Sequence, residues 1–194
     1  MSVAALQWYL AKSLPADQLP EQLSPTRDVF QARLDRFYKE ALRGGFAAGD
    51  ASLLTAVCGE IGNNCFDHNL GQWKDQPGCR FEYEFSSGSA KVVLSDRGQG
   101  ILASLKRAKP DLRDDAEALK TAFEKTLSGR HPEQRGNGLK FVRSVINQNT
   151  KRGLLFGSGR ATILFGGRPV TLPGEAGELE KMGTGTLAIL EWKQ

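Results

Sequence analysis

The spacing of apolar residues alternates between two periods along this chain. In "TRDVFQARLDRFYKEALRGGF" (26–46), Val29, Leu34, Phe37 and Leu42 fall at roughly helical spacing. Asp28 favours a helix start there, and Gly44-Gly45 ends it. "GDASLLTAVCGEIGNNCFDHNLG" (49–71) reads as a second helix, with Asp50 or Ser52 as cap and Gly71 as stop. In "CRFEYEF" Phe81, Tyr83 and Phe85 alternate with Glu82 and Glu84, and "SSGS" then turns the chain into "AKVVLSD". That is a hairpin. The stretch from Gln99 to Gln134 is long and polar, with one helical segment, "DDAEALKTAFEKTLSG". "GNGLKFVRSVINQN" reads as a helix opened by glycines, "RGLLFGSGRATILFGG" as a second hairpin and "GTGTLAILEW" as a last strand. "RPVTLPGEAGELEKM" between them reads as a loop. Residues 1–25, broken by Pro15, Pro20 and Pro25, read as a partly helical arm. Antiparallel hairpins with helices grouped between them imply an α+β two-layer sandwich: one mixed, mostly antiparallel sheet with helices on one face. Residues 1–45 would form an arm and helix packed on a domain of residues 46–194.

The second helix raises a chemical question. At about 100° per residue, Glu60, Asn63, Asn64, Asp67 and His68 fall within an arc of about 140°. One turn earlier Leu53, Ala56 and Val57 fill that arc, which suggests an inward stripe whose C-terminal half lines a polar pocket. Glu60 and Asn64 stand one turn apart, so their heads converge. An amide oxygen there suits a hard cation such as Mg²⁺. A carboxylate beside it can orient or deprotonate a hydroxyl or water. In "VVLSDRGQGI", Asp96 ends a strand ahead of Gly98, Gly100 and Ile101; a buried carboxylate at that place can accept from an exocyclic amine. In "QRGNGLKFV", Arg135, Gly136, Asn137, Gly138 and Leu139 open a helix whose free N–H groups suit an anion. No Walker A loop or Rossmann fingerprint is present.

Composition narrows the class. The 194 residues are 40% hydrophobic and 25% charged, with no run long and apolar enough for a membrane span. No signal peptide is legible at the start. Three cysteines without a CxxC pair suggest free thiols in a reducing cytoplasm rather than a disulfide frame or zinc site. From Arg130 to Arg168 eight basic residues stand against one acid, Glu133. That run suits a solvated face or an anionic partner, with nucleic acid the lesser reading.

In this order E-x-x-x-N in a helix, D-x-G-x-G after a strand and G-x-G-L opening a helix resemble the GHKL ATPases, the superfamily of gyrase, heat-shock chaperones, histidine kinases and MutL. The resemblance spans about residues 50 to 192. It implies the Bergerat fold and an ATP–Mg²⁺ site. By that resemblance Asn64 is the Mg²⁺ ligand and Glu60 the general base. Asp96 would read the adenine amine beside Gly98 and Gly100, and Gly136 to Leu139 would contact phosphates. Thr186 would support the adenine side, and about residues 102–135 would form an ATP lid. Glu60, Asn64 and His68, as E-x-x-x-N-x-x-x-H, are similar to the anti-sigma serine kinases, whereas Asp67 resembles the gyrase and MutL pattern. The implied activity is regulatory: a cytoplasmic serine kinase or switch, with slow ATP hydrolysis, acting on a partner of sigma-factor, anti-anti-sigma or response-regulator type. The alternative is a non-catalytic or histidine-kinase-like module whose lid gates an interaction. ATP and ADP are the expected ligands, no membrane is involved, and a homodimer is compatible with the reading.

Overall fold

A computed structural model describes residues 3–12, 21–69, 71–124, 137–170 and 185–194. Helix α1 spans Val3–Leu10 and a two-residue strand β1 Leu23–Ser24. Helices α2 (Arg27–Arg43) and α3 (Ala48–Asp67) follow, then the hairpin β2 (Cys79–Ser86) and β3 (Ser89–Ser95). Three helices come next: α4 (Gly100–Lys106), α5 (Asp115–Glu124) and α6 (Gly138–Asn147). The hairpin β4 (Arg152–Ser158) and β5 (Ala161–Gly166) and the strand β6 (Thr186–Lys193) complete the fold. The sheet order is β1-β2-β3-β6-β4-β5. Every described pairing is antiparallel, so the α+β class stands while the expected mixed character gives way.

Alternation in the central strands divides the interior in two. Val92, Leu94, Leu154, Phe156, Ala188, Leu190 and Trp192 face a core shared with α2, α3, α5 and α6. Val93, Leu155, Leu187 and Ile189 face the other side, where Ala5, Leu6, Trp8 and Tyr9 of α1 cover them. Helices therefore lie on both faces, not on one. The N-terminal stretch was expected as a partly helical arm packed on the domain; its apolar positions are needed because the central strands are apolar on both sides.

Helix α2 buries Phe30, Leu34, Phe37 and Ala41, and leaves Val29 and Leu42 at 38% exposure. The expected stripe through Val29 and Leu42 was one position out of register at each end, because 30, 34, 37 and 41 keep the 4-3-4 spacing of a single face. Thr26 caps α2 through its hydroxyl on the Val29 N–H. A Cβ on Gly62 would fall 2.0 Å from the Phe30 ring, so glycine there sets how closely α2 approaches α3. Neither Asp50 nor Ser52 caps α3: the N-cap is Ala47, and its N–H donates to the Gln194 side-chain oxygen at 2.8 Å. Asp50 instead receives the Arg152 guanidinium at 3.1 Å. The helix ends at His68, and Gly71, at φ +84°, turns the chain just beyond.

Candidate functional site

The polar stripe of α3 lies at the margin of the helix rather than at its buried centre. Val57 is buried, Leu53 half-buried and Ala56 exposed, so the stripe meets solvent through the exposed Glu60. Asn63, Asn64, Asp67 and His68 are half-buried. Helix α2 closes one side: Gln31 Nε2 donates to Asn63 Oδ1 at 2.9 Å, and Arg27 pairs with Asp67. Helices α4 and α6 close the other. Between them lies a cavity of about 280 Å³, lined by Glu60, Asn63, Asn64, Asp67 and His68 together with Arg27, Ile101, Ser104, Asn137, Gly138 and Leu139. Asn64 makes no side-chain hydrogen bond among the described residues, which leaves its amide oxygen available.

Glu60 meets the second glycine box directly. A Cβ on Gly138 would fall 2.3 Å from Glu60 Oε2, so the carboxylate lies against the first residue of α6. The first N–H groups of any helix lack intrahelical partners, and Asn137 supplies no side-chain cap here. A carboxylate and an anion-seeking helix end thus share one wall. Arg135, Gly136 and the last part of the expected lid lie outside the described residues. The described part of that lid, from 102 to 124, contains most of α4 and all of α5, where only one helix was expected.

A second cavity, of about 20 Å³, shares Asn64, His68 and Ile101 with the first. It reaches Asp96, Gly100 and Thr186, with room for about one water. Asp96 is 2% exposed. Its Oδ1 accepts from Asn69 Nδ2 at 3.0 Å and from the Gly98 N–H at 2.7 Å, and its Oδ2 accepts from the Thr186 hydroxyl. Burial raises the Asp96 pKa above the ordinary carboxylate value, while the Thr186, Gly98 and Asn69 donors pull it down. Thr186 therefore stands beside Asp96. Asn69 was missed: it resembles another polar residue after a helix end, and only the fold brings it to Asp96.

Gly98 is close-packed on Asn69, whose Oδ1 would lie 1.9 Å from an added Cβ. Gly100 has φ +78°, a conformation open to glycine, and this turns the chain into α4. Ser158 was also missed: it accepts from the Ile101 N–H at 2.9 Å and donates to the Gly185 carbonyl at 3.1 Å. No local pattern marks it, because its partners are 57 and 27 residues away. His68 Nδ1 lies 3.0 Å from Ser104 Oγ. Burial, then the Arg107 charge, lowers the His68 pKa, so the ring is neutral at pH 7.

Behind Asp96, Arg97 is 1% exposed and points to the opposite sheet face. It donates to the carbonyls of Trp8, Tyr9 and Ala11 at the end of α1 and pairs with both Asp75 oxygens at 2.6 Å. The basic run is less continuous than its sequence suggests: Arg143 pairs with Glu124, Arg152 is buried against Asp50, and Arg168 faces Glu191. Cys58, Cys65 and Cys79 are free and buried. No described helix is long and apolar enough to cross a membrane.

Among the described residues no cluster of three or more His, Cys, Asp and Glu side chains is placed to hold a metal ion. Beside the first cavity, the Asn64 amide oxygen is a donor of the kind that suits a hard cation. No protein-family model matches the chain, and no curated protein matches it either.

Proposed function

We propose that this chain binds ATP with Mg²⁺ in the two-lobed cleft beside α3 and acts on a partner protein as a regulatory serine kinase. The observation that carries the reading is the convergence of Glu60, Asn64 and Gly138 on one cavity whose inner lobe ends at the buried Asp96. Three sequence boxes, separated by up to 78 positions between Glu60 and Gly138, line two cavities that share Asn64, His68 and Ile101. The base would enter the inner lobe, where the Asp96 carboxylate accepts from an exocyclic amine while Thr186 and Asn69 hold that carboxylate in place. This lobe must widen to admit a purine. The phosphates would lie in the outer lobe, against the N-terminus of α6. Asn64 would ligate Mg²⁺, which supplies neutralisation of phosphate charge.

In this reading Glu60 accepts the proton of a serine hydroxyl brought to the open mouth of the cavity. The serine oxygen then takes the terminal phosphoryl group of ATP, and ADP leaves. Glu60 is exposed, as a base that must reach a partner's side chain requires. Water in place of serine gives slow hydrolysis. A cytoplasmic partner of sigma-factor, anti-anti-sigma or response-regulator type fits this activity.

Labelled ATP, incubated with the chain and candidate partner proteins, tests the reading. Label on a partner serine with the wild type, lost by about 10²-fold or more in Glu60→Ala at unchanged ATP affinity, is the expected result. Transfer at the wild-type rate by that variant would remove Glu60 from the mechanism. Tight binding with no transfer to any partner would favour a nucleotide-gated switch instead.

A further inference from the structure

We propose that Arg27, on α2, is a polyphosphate-binding residue of this cleft, held on Asp67 until a nucleotide arrives. The proposal rests on the ATP reading above. Two rungs join α2 to the polar stripe of α3: Gln31 to Asn63, and Arg27 to Asp67. The residues of each helix are four apart, so the rungs lie one turn from each other along both helices.

Charge at the cavity gives the second rung its meaning. Among the described lining residues, Glu60 and Asp67 carry negative charge and Arg27 alone carries positive charge. A polyphosphate brought against two carboxylates needs a cation on the protein side, and a backbone N-terminus supplies only partial charge. Among the described residues, the other arginines near the cleft are committed elsewhere or stand outside the lining. Arg97 is engaged by α1 and Asp75, and Arg107 acts on His68 but does not line the cavity.

Arg27 also has the freedom to change partner. Its side chain is 46% exposed, against 14% for Asp67, so it sits at the rim over a more enclosed acid. A guanidinium binds phosphate bidentately and more strongly than it binds a single carboxylate oxygen. Arrival of a polyphosphate would therefore draw Arg27 off Asp67 and remove one of the two polar rungs that tie α2 to α3. The site then senses the charged tail of its ligand through a helix outside the three sequence boxes.

The test is calorimetric titration of the full chain in Mg²⁺ buffer with ATP and, separately, adenosine. Wild type, Arg27→Ala and Arg27→Lys are compared. Arg27→Ala should weaken ATP binding by about 10- to 100-fold and leave adenosine binding within about threefold. Arg27→Lys should fall between, because it keeps the charge and loses the fork. Melting temperatures should agree within about 3 °C, since the Arg27 side chain removed is largely exposed. Equal ATP affinity in wild type and Arg27→Ala overturns the assignment and leaves the ATP reading intact. Loss of adenosine binding to the same degree as ATP overturns it too, by making the effect structural. A wild type that binds neither probe overturns the ATP reading, and this proposal with it.

Discussion

The two lobes of the cleft share Asn64, His68 and Ile101 but are built on opposite terms. The outer lobe, about 280 Å³, is walled by side chains that keep a face toward solvent: Glu60 is exposed and Asn64 has no described partner. The inner lobe, about 20 Å³, ends at a carboxylate whose oxygens are both engaged, by Asn69, Gly98 and Thr186. A group that must react or ligate can stand half in water at little cost. A buried carboxylate must be supported by donors, or its desolvation destabilises the fold. The same division appears in the glycines. Gly98 abuts a buried, hydrogen-bonded amide, whereas Gly138 abuts the free end of a flexible carboxylate.

Five experiments can break or sharpen this contrast. The largest effect belongs to Asp96→Ala, which removes the acceptor of the Gly98 N–H, the Thr186 hydroxyl and one Asn69 amide hydrogen; urea denaturation at pH 7 should show a loss of about 2–4 kcal/mol. Stability within about 0.5 kcal/mol of wild type would contradict the supported-carboxylate picture. Asp96 also carries a pH signature. Its folded pKa is raised, chiefly by burial, so its contribution is complete below the unfolded value of about 3.9 and is lost as pH rises through the folded value. The stability difference between wild type and Asp96→Asn should therefore shrink as pH rises from about 4, and a difference that grows would reverse the assigned direction.

Next comes Gly98→Ala, whose methyl would sit 1.9–2.1 Å from three atoms of the Asn69 amide. A cost of about 1–3 kcal/mol by the same denaturation assay is expected, as for overpacking elsewhere. Gly138→Ala should cost less than about 1 kcal/mol, because Glu60 can swing away and alanine favours a helix. Its effect falls on transfer instead: a displaced Glu60 should slow labelling of a partner serine by up to about 10²-fold. A Gly138→Ala loss as large as that of Gly98→Ala would erase the distinction between the lobes. The smallest effect is that of His68, shared by both lobes. Its pKa is lowered, first by burial and then by Arg107, so its contribution is present above the unfolded value of about 6.5 and fades as pH falls through the folded value. Wild type should lose slightly more stability than His68→Gln between pH 7 and pH 5, and parallel curves would contradict it.

The outer lobe was more legible in the sequence than the inner one, for the same physical reason. Glu60, Asn63, Asn64, Asp67 and His68 lie on one helix, so helical period alone brings them together. The first hairpin was readable because Phe81, Tyr83 and Phe85 alternate with Glu82 and Glu84, whereas β4 and β6 are buried almost throughout and show no such alternation. The inner lobe depends on Asn69 and Ser158, which act through partners 27 and 57 residues away and leave no local signature. Helix α4 escaped notice because it is seven residues long and begins at a glycine with φ +78°, where a turn was the natural expectation. The two-residue β1 is too short to alternate, and the partners of α1 on the far face of the sheet are invisible from its own residues.

The central claim, that an adenine nucleotide and Mg²⁺ occupy this cleft, is tested most directly by titrating the protein with ATP, with and without Mg²⁺, in a calorimeter. The account expects one site per chain, weaker without Mg²⁺ and weakened further by Asn64→Ala, with Asp96→Asn reducing the response to adenosine as well. No heat and no gain in melting temperature at millimolar ATP and Mg²⁺ would contradict it.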